Sequence, residues 1–155
     1  NVGYSVLYSG TVSGATEGAM LGIPSIAVSL GTFEDPDYSY AAEFAKKAVL
    51  LVAGNNGLPK GTLLNVNVPA VAREQIKGVR VVKQSARAIE ERFDKRQDPR
   101  RRTYYWLTGE VIGSDGQEDA DLETLRRNYV TVTPIHCDMT DYGFLQLLKE
   151  WKFEL

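Results

Sequence analysis

The feature that most limits what this chain can become is the passage from residues 11–21 (TVSGATEGAML) through Gly22 into residues 23–30 (IPSIAVSL). The first stretch has the length and small-residue composition of a helix. Ser9 or Thr11 is available as its N-cap, and Gly22 can take the left-handed position after the last turn. Gly14, Ala15, Gly18 and Ala19 leave one side of it nearly smooth. A glycine inside a helix costs about 1 kcal/mol relative to alanine, so two of them imply that another backbone approaches closely. The second stretch is small and apolar at nearly every position, the pattern of a strand covered on both faces. A helix leading straight into such a strand predicts a parallel sheet with helices packed on it.

The rest of the chain continues the alternation. Residues 40–53 place Ala41, Phe44, Ala45, Ala48, Val49 and Val52 at helical spacing, and Gly54-Asn55-Asn56-Gly57 stops them. Residues 63–68 (LLNVNV, ended by Pro69) and 78–82 (GVRVV) read as strands. From residue 84 to 112 the character turns charged and aromatic, which predicts a hairpin projecting from the body. Residues 121–128 read as a short helix and residues 129–134 (YVTVTP) as a strand. Thr140 is a plausible N-cap for a last helix running to Trp151. With 155 residues, 43% of them hydrophobic, the whole chain fits one layered α/β domain over residues 1–155, without internal repeat or low-complexity tract.

Composition narrows the function classes. Lys and Arg number 18 against 20 Asp and Glu, for a net charge of -2, so the molecule as a whole has no basic excess to draw it to nucleic acid or membranes. The single cysteine, Cys137, cannot form an intramolecular disulfide, which favours the cytoplasm as its compartment. No apolar run approaches the roughly 20 residues that span a bilayer. The chain opens on Asn1-Val2-Gly3-Tyr4-Ser5, a polar, glycine-bearing stretch with the look of a loop interior.

Several places could carry chemistry. Ser9-Gly10-Thr11 opens a helix with two hydroxyls and unpaired backbone N–H groups, and the helix dipole favours negative charge there. It is either an ordinary cap or a phosphate-sized anion site. Asn1 and Gly3 just upstream supply an amide donor and a permissive backbone. The segment Thr32-Phe33-Glu34-Asp35-Pro36-Asp37 offers hard oxygen ligands for a divalent metal, or a solvated turn. His136, the only histidine, is either a general acid or base or a packing histidine, and Cys137 beside it reads as an inert thiol. The basic run from Arg92 to Arg102 followed by Tyr104-Tyr105-Trp106 resembles a single-strand nucleic-acid surface, or a hairpin whose aromatics meet another subunit.

Two stretches go beyond such generic readings. Asn1-x-Gly3-x5-Ser9-Gly10-Thr11-Val12 runs on to Glu17-Gly18-x3-Gly22-Ile23-Pro24-Ser25-Ile26-Ala27-Val28-Ser29. Later comes Tyr129-Val130-x-Val132-Thr133-Pro134-Ile135-His136-x-Asp138-x-Thr140. Together with Leu64-Asn65-Val66-Asn67-Val68-Pro69 and Tyr104-Tyr105-Trp106, they resemble the SurE (survival protein E) family of metal-dependent 5′/3′-nucleotidases over most of the chain, as its C-terminal part.

The resemblance implies a Rossmann-like three-layer α/β/α sandwich with a projecting β-hairpin (residues 84–112) and a C-terminal helical arm (residues 140–155), assembled as a homodimer or homotetramer. It implies a nucleoside monophosphate substrate and a divalent cofactor, Mg²⁺ or Mn²⁺, whose ligands are expected upstream of residue 1, with none in this segment. Asn1, Ser9, Gly10 and Thr11 match the family's phosphate pocket, and no catalytic residue is identifiable in this segment. Ser5 stands where many relatives carry an aspartate. The segment alone is expected to be inactive. The competing expectations are an oligomerisation or regulatory module without catalysis and, third, single-stranded nucleic-acid binding through the hairpin.

Overall fold

The computed structural model describes residues 1–32, 34, 36–86, 90–110 and 118–153. A 3-10 turn, Gly3–Tyr8, leads into α1 (Gly10–Met20), followed by β1 (Ser25–Leu30), α2 (Ser39–Gly54), β2 (Thr62–Val68), a short 3-10 turn (Arg73–Gln75) and β3 (Val79–Val81). The strands β4 (Glu90–Gln97) and β5 (Thr103–Glu110), the helix α3 (Asp121–Arg126), β6 (Val130–His136) and α4 (Tyr142–Leu148) complete the order.

The main sheet has the order β1-β2-β6-β3. β1 pairs parallel to β2, as the helix-to-strand passage predicts, with Ser25 opposite Leu63 and Ser29 opposite Asn67. The sheet is nevertheless mixed. β6 runs antiparallel to β2, setting Asn65 opposite Thr133 and Asn67 opposite Thr131, and parallel to β3. The expectation of a parallel sheet is corrected at that strand, whose apolar-polar alternation fits either direction.

Strand periodicity sorts the residues of the sheet into two faces. One presents Ala27 and Leu63 to Val6, Val12 and Ala19, with Ala15, Ile135 and Cys137 packed alongside. The other presents Val66, Val68 and Val130 to Ala41 of α2, with Ile26, Val28, Leu30, Tyr40 and Phe44 around them. Leu63, Val66, Val68 and Val130 are fully excluded from solvent, and each such side chain contributes about 1.5–3 kcal/mol of burial. Helices on both faces make a three-layer α/β sandwich of the Rossmann-like kind.

Glycine explains how closely α1 lies on the sheet, though at one position of the two expected. A Cβ on Gly18 would collide with Ser25 Oγ, whereas one on Gly14 would meet open space. The Gly18–Ser25 contact also sets direction: the last turns of α1 lie over the beginning of β1, so the first turn of α1 stands at the carboxyl end of that strand.

β4 and β5 form a two-stranded sheet of their own, as the charged and aromatic composition predicts. Its tip is built around Asp98, whose Oδ1 accepts the N–H groups of Arg100 and Arg102, both at 2.8 Å. Residues 87–89 and 111–117 of the expected hairpin region lie outside the described residues, as do residues 154–155 of the expected arm. The last helix departs from expectation at both ends. Its N-cap is Asp141, whose Oδ1 accepts the Phe144 N–H at 2.9 Å, not Thr140, and it stops at Leu148, short of Trp151. The Thr140 N–H is instead taken by Asp138 Oδ1 in a turn, at 2.9 Å. Among the described residues, no helix is long and apolar enough to cross a membrane.

Candidate functional site

The start of α1 holds three of the four residues singled out for anion binding. Ser9 has extended backbone angles and is buried, and its Oγ accepts the Val12 N–H at 3.1 Å, which makes it rather than Thr11 the N-cap. Its carbonyl accepts the Ser13 N–H at 2.8 Å. The N–H groups of Gly10 and Thr11 have no partner among the described residues, and both residues are exposed. Ser9 Oγ is engaged as an acceptor and keeps its proton to donate. Two unpartnered backbone donors and the positive end of a three-turn helix thus stand at its exposed start, with the Ser9 and Thr11 hydroxyls on the adjoining residues.

Asn1 is fastened to the sheet at the same end of β1. Its Nδ2 donates to Ser29 Oγ at 2.6 Å, and its backbone nitrogen donates to Asn67 Oδ1 at 3.0 Å. Its carbonyl accepts from Asn65 Nδ2 at 2.8 Å and from Asn67 Nδ2 at 3.1 Å. Asn65 and Asn67 are buried on the α1 side of β2, so the neutral amides that grip Asn1 are themselves fixed. Beside them, Asn65 Oδ1, Thr131 Oγ1 and Thr133 Oγ1 are buried with no partner among the described residues. The sequence reading missed the role of Ser29, Asn65 and Asn67. The available signal was a pair of asparagines at strand period in an otherwise apolar segment, LLNVNVP.

The turn between Asn1 and Ser9 is held from far along the chain. Gly3 has φ 55°, a left-handed conformation suited to glycine, and donates its N–H to Asp121 Oδ2 at 3.0 Å. Its carbonyl accepts from Gln84 Nε2 at 2.8 Å. Ser5 Oγ accepts the Val2 N–H at 3.1 Å and so closes the turn locally.

The other candidate segments show local hydrogen bonding where they are described. Thr32 Oγ1 accepts the Glu34 N–H at 3.0 Å and Asp37 Oδ1 accepts the Ser39 N–H at 2.9 Å, which is turn chemistry. Phe33 and Asp35 lie outside the described residues. Among the described residues no group of three or more His, Cys, Asp and Glu side chains assembles as a metal cage. His136 is exposed; its Nδ1 accepts the Asp138 N–H at 3.0 Å, and a Cβ on Gly61 would stand 3.3 Å from its Nε2. Cys137 is half-buried beside the Thr16 carbonyl. A cleft of about 520 Å³ opens at the carboxyl ends of β1 and β2 near Leu30, Tyr40, Val68 and Arg73, on the α2 side of the sheet and so across it from Asn1.

Residues 1–91 match the sequence model of the family described as "Survival protein SurE". The chain belongs to the SurE family. The Desulfatibacillum aliphaticivorans protein named 5′-nucleotidase SurE is 51% identical over 99% of this chain and 60% of its own length. A protein of the same name from Natranaerobius thermophilus is 47% identical over 99% of this chain and 60% of its own. Among solved structures, the SurE protein from Aquifex aeolicus superposes with a TM-score of 0.78 at 42% identity, over 96% of this chain and 60% of that one. The chain thus spans about 60% of the length of the SurE relatives it matches. The SurE fold agrees with the mixed sheet and flanking helices described above.

Proposed function

We propose that the protein to which this chain belongs hydrolyses nucleoside 5′-monophosphates, and 3′-monophosphates, to nucleoside and inorganic phosphate. The phosphoryl group would be held by Asn1, Ser9, Gly10 and Thr11. The observation that carries this reading is the start of α1, where the Gly10 and Thr11 N–H groups stand unpartnered beside the Ser9 and Thr11 hydroxyls. The relatives named 5′-nucleotidase supply the substrate class.

Each group has a definite task in that reading. The Gly10 and Thr11 N–H groups and both hydroxyls donate to phosphoryl oxygens, aided by the helix dipole. Asn1 Nδ2 gives one hydrogen to Ser29 Oγ and keeps the second for the substrate. Because these donors are fixed before substrate arrives, charge that builds on the equatorial oxygens is met without reorganisation. Mg²⁺ or Mn²⁺ is the proposed cofactor, with its ligands upstream of residue 1. The side chains described do not compose its site, so no step is assigned to it and the segment alone is expected to be inactive.

A homodimer or homotetramer in the cytoplasm is the proposed state, formed through the hairpin region (residues 84–112) and the C-terminal arm (residues 140–155). Phe93, Tyr105, Trp106 and Leu107 on the hairpin, and Tyr142, Phe144, Trp151 and Phe153 near the C-terminus, are all exposed in the single chain, and these support it. Were the corner inactive, the same surfaces would favour a non-catalytic assembly module.

The decisive experiment measures phosphate release from AMP and GMP by the full-length protein with Mn²⁺ or Mg²⁺ and with EDTA, beside a Ser9→Ala, Thr11→Ala double variant. EDTA-sensitive release that falls at least about a hundredfold in the variant is expected, from the loss of two charge-assisted hydrogen bonds. No release with either metal would sink the nucleotidase reading.

A further inference from the structure

Asp121 is fully buried at the first position of α3, and among the described residues no Lys or Arg forms an ion pair with it. A buried carboxylate without a Lys or Arg partner is satisfied mainly by dipoles, and this one, which also feels the charge of the Asn1 terminal ammonium, accepts three backbone N–H groups. Its Oδ1 takes Ser85 at 2.9 Å and Leu122 at 2.7 Å, and its Oδ2 takes Gly3 at 3.0 Å. An aspartate whose task ended with α3 would use its oxygens on its own first turn. Asp121 instead gives one whole oxygen to Gly3, 118 residues away in sequence.

The second grip on Gly3 comes from the residue before Ser85. Gln84 Nε2 donates to the Gly3 carbonyl at 2.8 Å, so both polar backbone groups of that left-handed glycine are taken. The Gln84-Ser85 segment is in turn held to α3: Lys83 forms an isolated parallel bridge with Ala120, and the Lys83 carbonyl accepts the Asp121 N–H at 2.9 Å. Between Asn1, tied to the sheet, and Ser9, capping α1, Gly3 is therefore the point at which the turn is anchored from outside.

We propose that Asp121, seconded by Gln84, is a positioning residue for phosphate binding. By fixing Gly3, it sets where the Asn1 amide stands relative to the first turn of α1. This inference rests on the reading of that corner as the phosphate site.

Asp121→Asn separates the positioning task from support of the fold. The asparagine oxygen best takes the place of Oδ1 and keeps the Ser85 and Leu122 bonds, since the reverse orientation would break both. Its NH₂ then faces the Gly3 N–H, donor against donor. In the full-length protein, hydrogen exchange of the Gly3, Ser85 and Leu122 amides is read beside KM and kcat for AMP and the inhibition constant of inorganic phosphate. The expected result is faster exchange at Gly3 alone. KM and the phosphate inhibition constant should rise about tenfold or more, as for a buried donor left unsatisfied, with a smaller change in kcat.

Unchanged protection at Gly3, or unchanged KM and phosphate inhibition with Gly3 released, would overturn the proposal while leaving the nucleotidase reading intact. A wild-type protein that neither hydrolyses AMP nor binds phosphate would remove both. If Asp121→Asn fails to fold, Gln84→Ala decides, since it removes only the grip on the Gly3 carbonyl. Weaker phosphate inhibition in that variant supports the proposal, and unchanged inhibition overturns it.

Discussion

Asn1 and Asn67 hold each other by two bonds of opposite sense, the Asn1 backbone nitrogen donating to Asn67 Oδ1 at 3.0 Å and Asn67 Nδ2 donating back to the Asn1 carbonyl at 3.1 Å. Such a pair fixes orientation as well as distance, because either partner rotating breaks both bonds. Asn67→Leu keeps the approximate volume and removes both the acceptor for the Asn1 terminal ammonium and the donor to the Asn1 carbonyl. We expect that variant to lose about 1–3 kcal/mol of stability in urea unfolding, and the full-length protein to bind inorganic phosphate more weakly. Unchanged stability together with unchanged phosphate affinity would show that the reciprocal pair does not set the corner.

Gly18 and Ser25 make a second pair whose effects should not add. Gly18→Ala gains about 1 kcal/mol of helix propensity, but its Cβ displaces the Ser25 hydroxyl, which donates to the Ile23 carbonyl at 2.9 Å. Alone, the change is expected to be nearly neutral. In a Ser25→Ala background the obstruction is gone, and the same substitution should stabilise by up to about 1 kcal/mol. A double-mutant cycle on denaturation midpoints reads the difference, and strict additivity would refute the contact.

Acid should reach the turn before α4 late. Hydrogen bonds from Thr140, first, and then Tyr142 hold the exposed Asp138 carboxyl at about 2, below its ordinary 3.8. A depressed carboxyl contributes above its ordinary value and loses that contribution only as pH falls through the folded one. The Asp138 contacts should therefore persist at pH 4 and titrate away between about pH 3.8 and about 2. Asp138 also raises the Tyr142 phenol above its ordinary value. Spectrophotometric titration of Asp138→Asn should bring that phenol back down, and an unmoved phenol would show that the two side chains do not meet.

How much of this was legible in the sequence depended on the range of the forces involved. The stop from Gly54 to Gly57 is local, and the residue types alone announce it, whereas the cap of α1 was narrowed only to Ser9 or Thr11. The direction of β6 was not legible, because Val130, Val132 and Thr133 alternate alike in parallel and antiparallel strands and a long connection decides. The last helix was placed from Thr140, yet Asp138 claims the Thr140 N–H and leaves the cap to Asp141. Ser9, Gly10 and Thr11 could be singled out as a candidate because they are neighbours. Asp121 was not, because nothing in the letters near residue 121 refers to residue 3.

The Lys83–Ala120 bridge and the Gly3–Asp121 bond also predict an order of assembly. β4 and β5 are joined by a tight turn and can pair with little loss of chain entropy, whereas the clasp on Gly3 closes over 118 residues and requires α3, the Lys83–Ser85 segment and the sheet to be in place. The corner that would hold phosphate is thus expected to form late in folding. A chain that has formed its conspicuous hairpin but not this closure would look partly native and still have no ordered place for an anion.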